Sequence, residues 1–156
     1  MKTIKGDLIK LAQAGEFDVI VHGCNCFHTM GAGIAKQIRS AFPHAYDIDR
    51  KTNYGDTDKL GRISSTCRKD GLVIVNAYTQ FAPGKEVSKD LYANIENCFR
   101  LIKNLYYGQK FGVPWIGAGI AGGDWNKIYE IISRVMIDQD ITAVEYQGMK
   151  QMEFVW

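Results

Sequence analysis

The stretch DVIVHGCNCFHTMGAGIAKQIRSAF, residues 18–42, decides the fold class. It opens with the nearly all-apolar run Asp18–Gly23, which is typical of a central strand buried on both faces. It closes with Gly33–Phe42, which is predicted to be a helix that stops at Pro43. The glycine-rich string Gly31–Ala35 lies between the strand and the helix. A strand, a glycine loop and a helix in this order are typical of an α/β layered domain.

The rest of the chain continues the same alternation. Apolar residues three and four positions apart predict helices over Ser88–Leu105 and Asp124–Met136. Arg62–Cys67 and Leu72–Tyr78 form a predicted strand pair turned by residues 69–71. Further strands are predicted at Met1–Ile4, Val113–Ile116 and Ile141–Tyr146, with Met152–Trp156 as a candidate. No linker or low-complexity stretch divides the chain, so one α/β domain with a parallel or mixed sheet is expected.

Composition and charge exclude several function classes. The chain has 156 residues, 46% of them hydrophobic, and a formal net charge of only +2. A net charge this small does not favour binding to duplex nucleic acid or to an anionic membrane. No apolar run approaches the roughly 20 residues of a membrane helix, and the N-terminus carries charge too early for a signal peptide. Four cysteines do not suggest a disulfide framework, so a cytoplasmic protein with reduced thiols is expected.

One short string occurs twice in the chain. Gly-Ala-Gly-Ile-Ala stands at Gly31–Ala35 and again at Gly117–Ala121, each time after a predicted strand and before a predicted helix. Backbone N–H groups and a helix N-terminus can hold a phosphate at such a position. Ligands of open α/β sheets bind in the crevice at the carboxyl ends of the strands. The repeat therefore indicates two phosphates, or one diphosphate between the two loops.

The second loop also fits a dinucleotide-binding fingerprint. Gly117, Gly119 and Gly122 satisfy the G-x-G-x-x-G pattern between a strand and a helix. That motif normally opens its domain and is followed by several more βα units. Only 34 residues follow Gly122, too few for a second mononucleotide half. The context therefore disfavours a dehydrogenase, and no cofactor is expected.

The run His22-Gly-Cys-Asn-Cys-Phe-His28 raises two further hypotheses. Four candidate metal ligands alternate over seven residues, but a straight strand cannot wrap them tetrahedrally around zinc, and neither C-x-x-C nor H-x-x-x-H spacing is present. No metal site is therefore expected. Nucleophilic catalysis by cysteine needs a base aimed at a thiol of low pKa, and His22 is too close along the strand to be an obvious partner.

Four segments in order carry a family resemblance. Gly6-Asp7-Leu8, VIVHGCNC (19–26), MGAGIA (30–35) and IGAGIAGGDW (116–125) together resemble a macro domain, the ADP-ribose-binding α/β/α module. The match runs from Lys2 to about Tyr146 and is most similar to small stand-alone ADP-ribose 1''-phosphate phosphatases, which share an H-x-C-N-C run. The resemblance implies a three-layer α/β/α fold with a central mixed sheet, in one domain over residues 1–156. It implies ADP-ribose or ADP-ribose 1''-phosphate as the partner. A monomer is expected.

The resemblance also implies roles for individual residues. Asp7, with Leu8 beside it, matches the aspartate that accepts a hydrogen bond from the adenine amino group, although Asp7 is also placed to cap a helix over LIKLAQ. Asn25 matches the asparagine that holds the distal ribose; its alternative is a turn residue. The loops against the diphosphate and distal ribose are Gly31, Ala32, Gly33 and Ile34, and Gly117, Ala118, Gly119, Ile120, Ala121 and Gly122.

Two residues beside the loops are candidates for the catalytic step. A phosphomonoesterase must position water and protonate the leaving sugar oxygen. His28 immediately precedes the first loop and Asp124 immediately follows the second, so they could flank the terminal phosphate. Histidine titrates near working pH, which suits an acid or base. The alternatives are an ordinary loop histidine and a cap for the last helix.

The chain departs from some members of the family at two positions. Members that remove ADP-ribose from acylated side chains or DNA use a lysine where this chain has Gln80, and an aspartate where it has Ala121. Gln80 cannot form a covalent amine intermediate. The leading hypothesis is therefore hydrolysis of ADP-ribose 1''-phosphate. The alternatives are a non-catalytic ADP-ribose reader and a de-ADP-ribosylating hydrolase that works without the lysine.

Overall fold

A six-stranded sheet forms the centre of the protein, whose computed structural model describes residues 1–85 and 89–147. The strands in chain order are β1 (Lys2–Gly6), β2 (Val19–Cys24), β3 (Ile63–Cys67), β4 (Val73–Tyr78), β5 (Lys110–Val113) and β6 (Asp140–Tyr146). Across the sheet they follow the order β1-β6-β5-β2-β4-β3. All neighbouring pairs are parallel except β3 with β4. The expected mixed sheet is therefore confirmed.

Helices cover both faces of the sheet. They are α1 (Leu8–Gln13), α2 (Gly33–Ala41), α3 (Pro43–Arg50), α4 (Lys89–Leu105) and α5 (Trp125–Val135), with a short 3-10 helix at Thr57–Lys59. One core packs α1, α2 and α3 on the face that carries Ile20 and Ile74. The other packs α4 and α5 on the face that carries Val21 and Val75. Successive residues of β2 and β4 point to opposite faces of the sheet, so each face packs against its own helices. The result is the three-layer α/β/α fold.

Two differences between the predicted and the observed elements have a clear physical reason. Pro43 ends α2 as expected, but it also begins α3, because proline has a helix-compatible φ and its missing N–H costs nothing in a first turn. The strand predicted at Val113–Ile116 is wrong: β5 ends at Val113, since Pro114 cannot donate to the ladder. The backbone then turns, and Ile116 N donates to Pro114 O. The candidate strand Met152–Trp156 lies outside the described residues.

Within residues 1–85 and 89–147, no helix combines the length and the apolar composition needed to cross a membrane.

Gly112 in β5 lies directly against the ring of Phe17, the residue that leads toward β2. A Cβ at this position would lie 2.6 Å from the ring. We expect Gly112→Ala to lower the free energy of unfolding by about 1–3 kcal/mol, because the ring has to move within a packed core. Urea unfolding followed by circular dichroism measures this change.

Gly119→Ala is the matched control, because a Cβ there meets nothing within 4 Å. It is expected to change the free energy of unfolding by less than about 0.5 kcal/mol. A Gly112→Ala midpoint equal to that of the control would show that the core accommodates the methyl group.

Candidate functional site

A cavity of about 920 Å³ opens at the carboxyl edge of the parallel strands. Val144 and Tyr146 of β6 line one end, and Thr79 and Gln80, which follow β4, line the other. From β6 through β5 and β2 to β4 there are three strand spacings, which make roughly 14 Å. The cavity therefore spans roughly 14 Å along this edge of the sheet, from β6 to β4.

The first glycine loop and the start of α2 form one wall. Residues 29–35 all line the cavity. The helix begins after Ala32, whose side chain cannot cap it, so the N–H groups of the first turn have no side-chain acceptor. Gly33 has φ of 57°, a left-handed conformation that favours glycine. An open helix N-terminus on a cavity wall is suited to an anion.

The second glycine loop also lines the cavity, from Pro114 to Ala121. Gly123 N donates to Gly117 O at 2.8 Å, which closes the loop on itself. Gly117 has φ of +75°, and a Cβ there would lie 3.0 Å from Ile95 and 3.1 Å from Ile128. Only glycine fits that position without strain, whereas Gly119 faces open space.

Asn25 lies on the cavity lining where the chain leaves β2. Its Oδ1 accepts a hydrogen bond from Phe27 N at 2.8 Å, and its Nδ2 donates to Thr29 Oγ1 at 2.6 Å. The amide therefore shapes the turn that leads into the first loop, which is the alternative role considered for it. The same side chain is placed beside the space where a ligand would lie.

Two charged residues line the cavity, Asp49 of α3 and Lys85. Gln80, beside Lys85 on the same wall, donates from Nε2 to Ala82 O at 2.7 Å and to Gly84 O at 2.9 Å. The Gln80 amide therefore holds the backbone turn over residues 80–84. Lys85 is exposed and brings a positive charge to this end of the cavity.

His22 and Cys24 are both buried, and Cys24 also lines the cavity. His22 Nε2 is 2.6 Å from Asn76 Oδ1, and burial lowers the pKa of His22 to about 4. Burial also raises the pKa of the Cys24 thiol well above its usual range. Both groups are therefore neutral near pH 7, and their contact of 3.7 Å is no thiolate–imidazolium pair. In the described part of the chain, no three His, Cys, Asp or Glu side chains are grouped to hold a metal ion.

The structure brings most of the predicted ligand-binding residues together. Asn25, residues 31–34 and residues 117–121 all line the same cavity. Five others do not line it: Asp7, Leu8, Gly122, His28 and Asp124.

Three of those five have contacts that explain their positions. Asp7 caps α1, with Oδ1 accepting from Ile9 N at 3.0 Å, and Asp124 caps α5 by accepting from Asn126 N at 3.0 Å. His28 Nε2 lies 3.1 Å from Thr52 Oγ1. The ligand and catalytic roles of these residues stay predictions.

Several cavity residues escaped the sequence analysis. Asp49 lies in α3, a helix that is not predicted when Pro43 is taken only as the end of the preceding helix. A proline followed by a polar-apolar segment is also a helix-start signal, and it could have revealed α3. Lys85 lies in an irregular segment with no periodic signal, while Trp115 and Tyr146 enter the lining because strands β5 and β6 end beside it.

Comparison with known families settles the relationship of this chain. The family model described as "Macro domain" matches residues 21–132, which include both glycine loops and all but the start of β2. The chain belongs to the macro domain family. The resemblance found in the four sequence segments is thereby confirmed.

Three relatives illustrate the range within the family. An "Uncharacterized 17.5 kDa protein in tk-vs intergenic region" of Enterobacteria phage T4 is 37% identical over 96% of this chain and 98% of that protein. A "DNA ADP-ribosyl glycohydrolase" of Mycobacterium tuberculosis is 26% identical over 97% of this macro domain, which spans only 46% of that longer protein. An "ADP-ribose 1''-phosphate phosphatase" of Aspergillus oryzae is 40% identical over 31% of this chain and 22% of that protein.

The solved structures agree on the fold. The macrodomain of Mycobacterium tuberculosis DarG superposes with a TM-score of 0.73 at 22% identity, covering 93% of this chain and 95% of that one. At this identity the likeness establishes the α/β/α architecture and nothing about the reaction.

Proposed function

We propose that this macro domain, taken as one domain over residues 1–156, binds ADP-ribose and hydrolyses ADP-ribose 1''-phosphate to ADP-ribose and phosphate. The observation that carries the proposal is that both glycine loops line one cavity, which reaches from the end of β6 to the residues that follow β4. A diphosphate lies between two sugars in ADP-ribose, so its charged middle matches the loops and its two ends match the two ends of the cavity.

The walls offer the hydrogen-bond donors that a diphosphate needs. Residues 33–35 contribute the uncapped first turn of α2. Residues 119–121 contribute three successive backbone N–H groups for which the described part of the chain provides no backbone acceptor. Lys85 adds a positive charge on the lining. Donors and charge of this kind support an anionic ligand.

The sheet order suggests which end of the ligand lies where. Gly6, the last residue of β1, pairs with Tyr146 at the end of β6, so Asp7 follows at this edge next to the β6 end of the cavity. The family's adenine-binding aspartate corresponds to Asp7, which supports an adenine at the β6 end. The distal ribose then lies beyond Asn25, toward β4.

The chemistry of Gln80 favours a phosphatase over a lysine-dependent glycohydrolase. The Gln80 amide is engaged with two backbone carbonyls and has no nucleophilic amine. Phosphate release needs water to attack phosphorus as the P–O bond to the sugar breaks, with a proton delivered to the leaving oxygen. The A. oryzae relative supports this activity. The M. tuberculosis relative supports the alternative, a de-ADP-ribosylating hydrolase, and a non-catalytic reader is the third candidate.

One set of measurements tests the proposal. We expect calorimetry to show a 1:1 complex with ADP-ribose and affinity for AMP at least about 10-fold weaker, because AMP lacks the diphosphate and the second sugar. Incubation with ADP-ribose 1''-phosphate should release phosphate, and incubation with ADP-ribosylated protein or DNA should release little ADP-ribose.

Each alternative has its own outcome in these measurements. Binding without phosphate release would favour the reader. Release of ADP-ribose from the modified macromolecule, without phosphate release from the small substrate, would favour the hydrolase. Absence of any heat with ADP-ribose would contradict all three.

A further inference from the structure

The His28 ring is held by a hydrogen-bond network beside the cavity. Its Nε2 lies 3.1 Å from the hydroxyl oxygen of Thr52, just beyond the end of α3. The backbone of this histidine is fixed as well, since the Tyr46 hydroxyl donates to His28 O at 3.1 Å. His28 belongs to a turn whose two ends, Asn25 and Thr29, line the cavity. The position of the proton on this ring therefore matters for proton transfer at that edge.

The Thr52 hydroxyl has three neighbours, and together they fix the direction of each of its hydrogen bonds. A hydroxyl group donates one hydrogen bond and accepts two. Thr52 Oγ1 lies 2.6 Å from Asp49 O, a carbonyl oxygen that can only accept, so the hydroxyl proton is directed at Asp49. The Lys59 ammonium, which can only donate, is 2.9 Å from the same hydroxyl oxygen. One acceptor position is left, and the His28 ring donates to it through Nε2.

Lys59 is a fixed donor in this network. Its side chain is buried, and its ammonium also donates to Cys26 O at 3.0 Å and lies 4.9 Å from the centre of the Tyr78 ring. A lysine at the surface can turn away into water, whereas this one is enclosed by its partners. One lone pair of Thr52 Oγ1 is therefore always taken by Lys59.

We propose that Thr52 is a positioning residue that holds the neutral His28 ring in the tautomer protonated at Nε2. The other ring nitrogen, Nδ1, then has the free lone pair, and no residue in the described part of the chain donates to it. The use of Nδ1 in catalysis rests on the proposed function, whereas the tautomer is a property of the unliganded protein. In that reaction water adds to phosphorus, and the sugar oxygen keeps the electron pair of the broken P–O bond and takes up a proton. Nδ1 is the ring atom that can accept the proton released by the water.

Nitrogen-15 NMR of the unliganded protein tests the tautomer directly. At about pH 8.5 an unperturbed imidazole is neutral, and its protonated and unprotonated nitrogens have separate chemical shifts. The chain has three histidines, and the His28 signals are those lost in His28→Ala. We expect a protonated Nε2 and an unprotonated Nδ1 in wild type and in Thr52→Ser. Thr52→Val, which lacks the hydroxyl, should populate the other tautomer as well.

Two results of the NMR measurement would contradict the assignment. A wild-type His28 that is protonated at Nδ1, or that mixes both forms, would overturn it. An unchanged single tautomer in Thr52→Val would overturn the role of Thr52.

His22 is the internal reference for these spectra. Asn76 Nδ2 donates to Ala45 O at 2.9 Å and to Ser64 Oγ at 3.1 Å, so Asn76 Oδ1 is an acceptor. His22 Nε2, 2.6 Å from that oxygen, is therefore a donor, and its signals should be the same in wild type and both Thr52 variants. A shift of the His22 signals in Thr52→Val would assign the change at His28 to the fold and overturn the role of Thr52.

Phosphate release gives a second, independent readout. Thr52→Val should lower kcat for ADP-ribose 1''-phosphate about 10-fold, the rate equivalent of one lost hydrogen bond, and leave ADP-ribose affinity within about 2-fold of wild type. Thr52→Ser should keep kcat within about 2-fold, because serine retains the hydroxyl. In His28→Ala protein, Thr52→Val should cause less than about a 2-fold further loss, since its effect passes through the ring. Equal losses in the two backgrounds would overturn the positioning role.

The outcomes separate this assignment from the proposed function. Wild-type protein that shows the Nε2-protonated ring but releases no phosphate would overturn the proposed function and support the tautomer. Phosphate release by a protein whose His28 is protonated at Nδ1 would overturn this assignment alone. The wild-type spectrum decides the tautomer even where a variant does not fold.

Discussion

Gly119→Glu is expected to abolish binding of ADP-ribose while the protein stays folded. Gly119 lies on the second wall of the cavity, its φ is outside the left-handed region, and a Cβ there meets nothing within 4 Å. The backbone therefore accepts a side chain that extends into the cavity. A carboxylate about 4 Å from a phosphate costs about 4 kcal/mol at the effective dielectric of a protein surface, equivalent to roughly 1,000-fold in affinity. Calorimetry with ADP-ribose measures the loss.

Gly119→Gln is the matched control, because glutamine has the same shape without the charge. It should weaken binding by no more than about 10-fold, the effect of its bulk, or about 1.4 kcal/mol. If the glutamate and glutamine variants bind equally, charge plays no part, and the second loop does not hold an anion. Native circular dichroism in both variants shows that the loop has tolerated the substitution.

His28→Ala and Asp124→Asn are expected to slow phosphate release from ADP-ribose 1''-phosphate by about 100- to 10,000-fold, the range for loss of a positioned acid or base. His28 precedes the first loop and Asp124 follows the second along the chain, so each residue adjoins a loop that lines the cavity. Asparagine can still accept the hydrogen bond from Asn126 N, so Asp124→Asn preserves the cap of α5. Single-turnover phosphate release is the measurement, with ADP-ribose affinity determined in parallel.

Two variants away from the cavity are the matched controls. His44 is an exposed histidine that contacts Asp47, and Asp56 caps the short 3-10 helix by accepting from Asp58 N. His44→Ala and Asp56→Asn should keep turnover within about 2-fold, since substitutions away from such functional features change free energies by about 0.5 kcal/mol or less. Near-normal turnover in Asp124→Asn would confine Asp124 to capping α5. Near-normal turnover in both test variants would move the chemistry to water held by the backbone.

The sequence was most informative where one local rule governs the structure. The apolar run before Cys24 predicted a central strand, and β2 is buried between β5 and β4. The repeated glycine string predicted two phosphate-binding loops, and both copies line one cavity. The position of each loop directly after a strand is enough to predict that the loops share a cavity, because the carboxyl ends of parallel strands lie at one edge of the sheet.

Residues that reach the cavity through tertiary packing could not be predicted in the same way. Asp49 borders it because α3 packs against the sheet beside Tyr78, more than 20 residues away along the chain. Lys85 borders it through a local contact, because the Gln80 amide holds the preceding turn. Neither contact leaves a periodic signal in the sequence. Asp7 and Asp124 present a different difficulty. Both cap helices, and a capping aspartate cannot be distinguished from a ligand-binding one by sequence alone.

The hydrogen bonds of Gln80 bear on how related activities diverge. Replacing this glutamine by lysine supplies an amine, but it also removes the amide whose two hydrogen bonds hold the backbone at Ala82 and Gly84. A lysine ammonium at this position would have to serve both as the anchor of the segment that carries Lys85 and as the reacting amine. We therefore expect the loop architecture of residues 80–85 and the type of reaction to be coupled at this position.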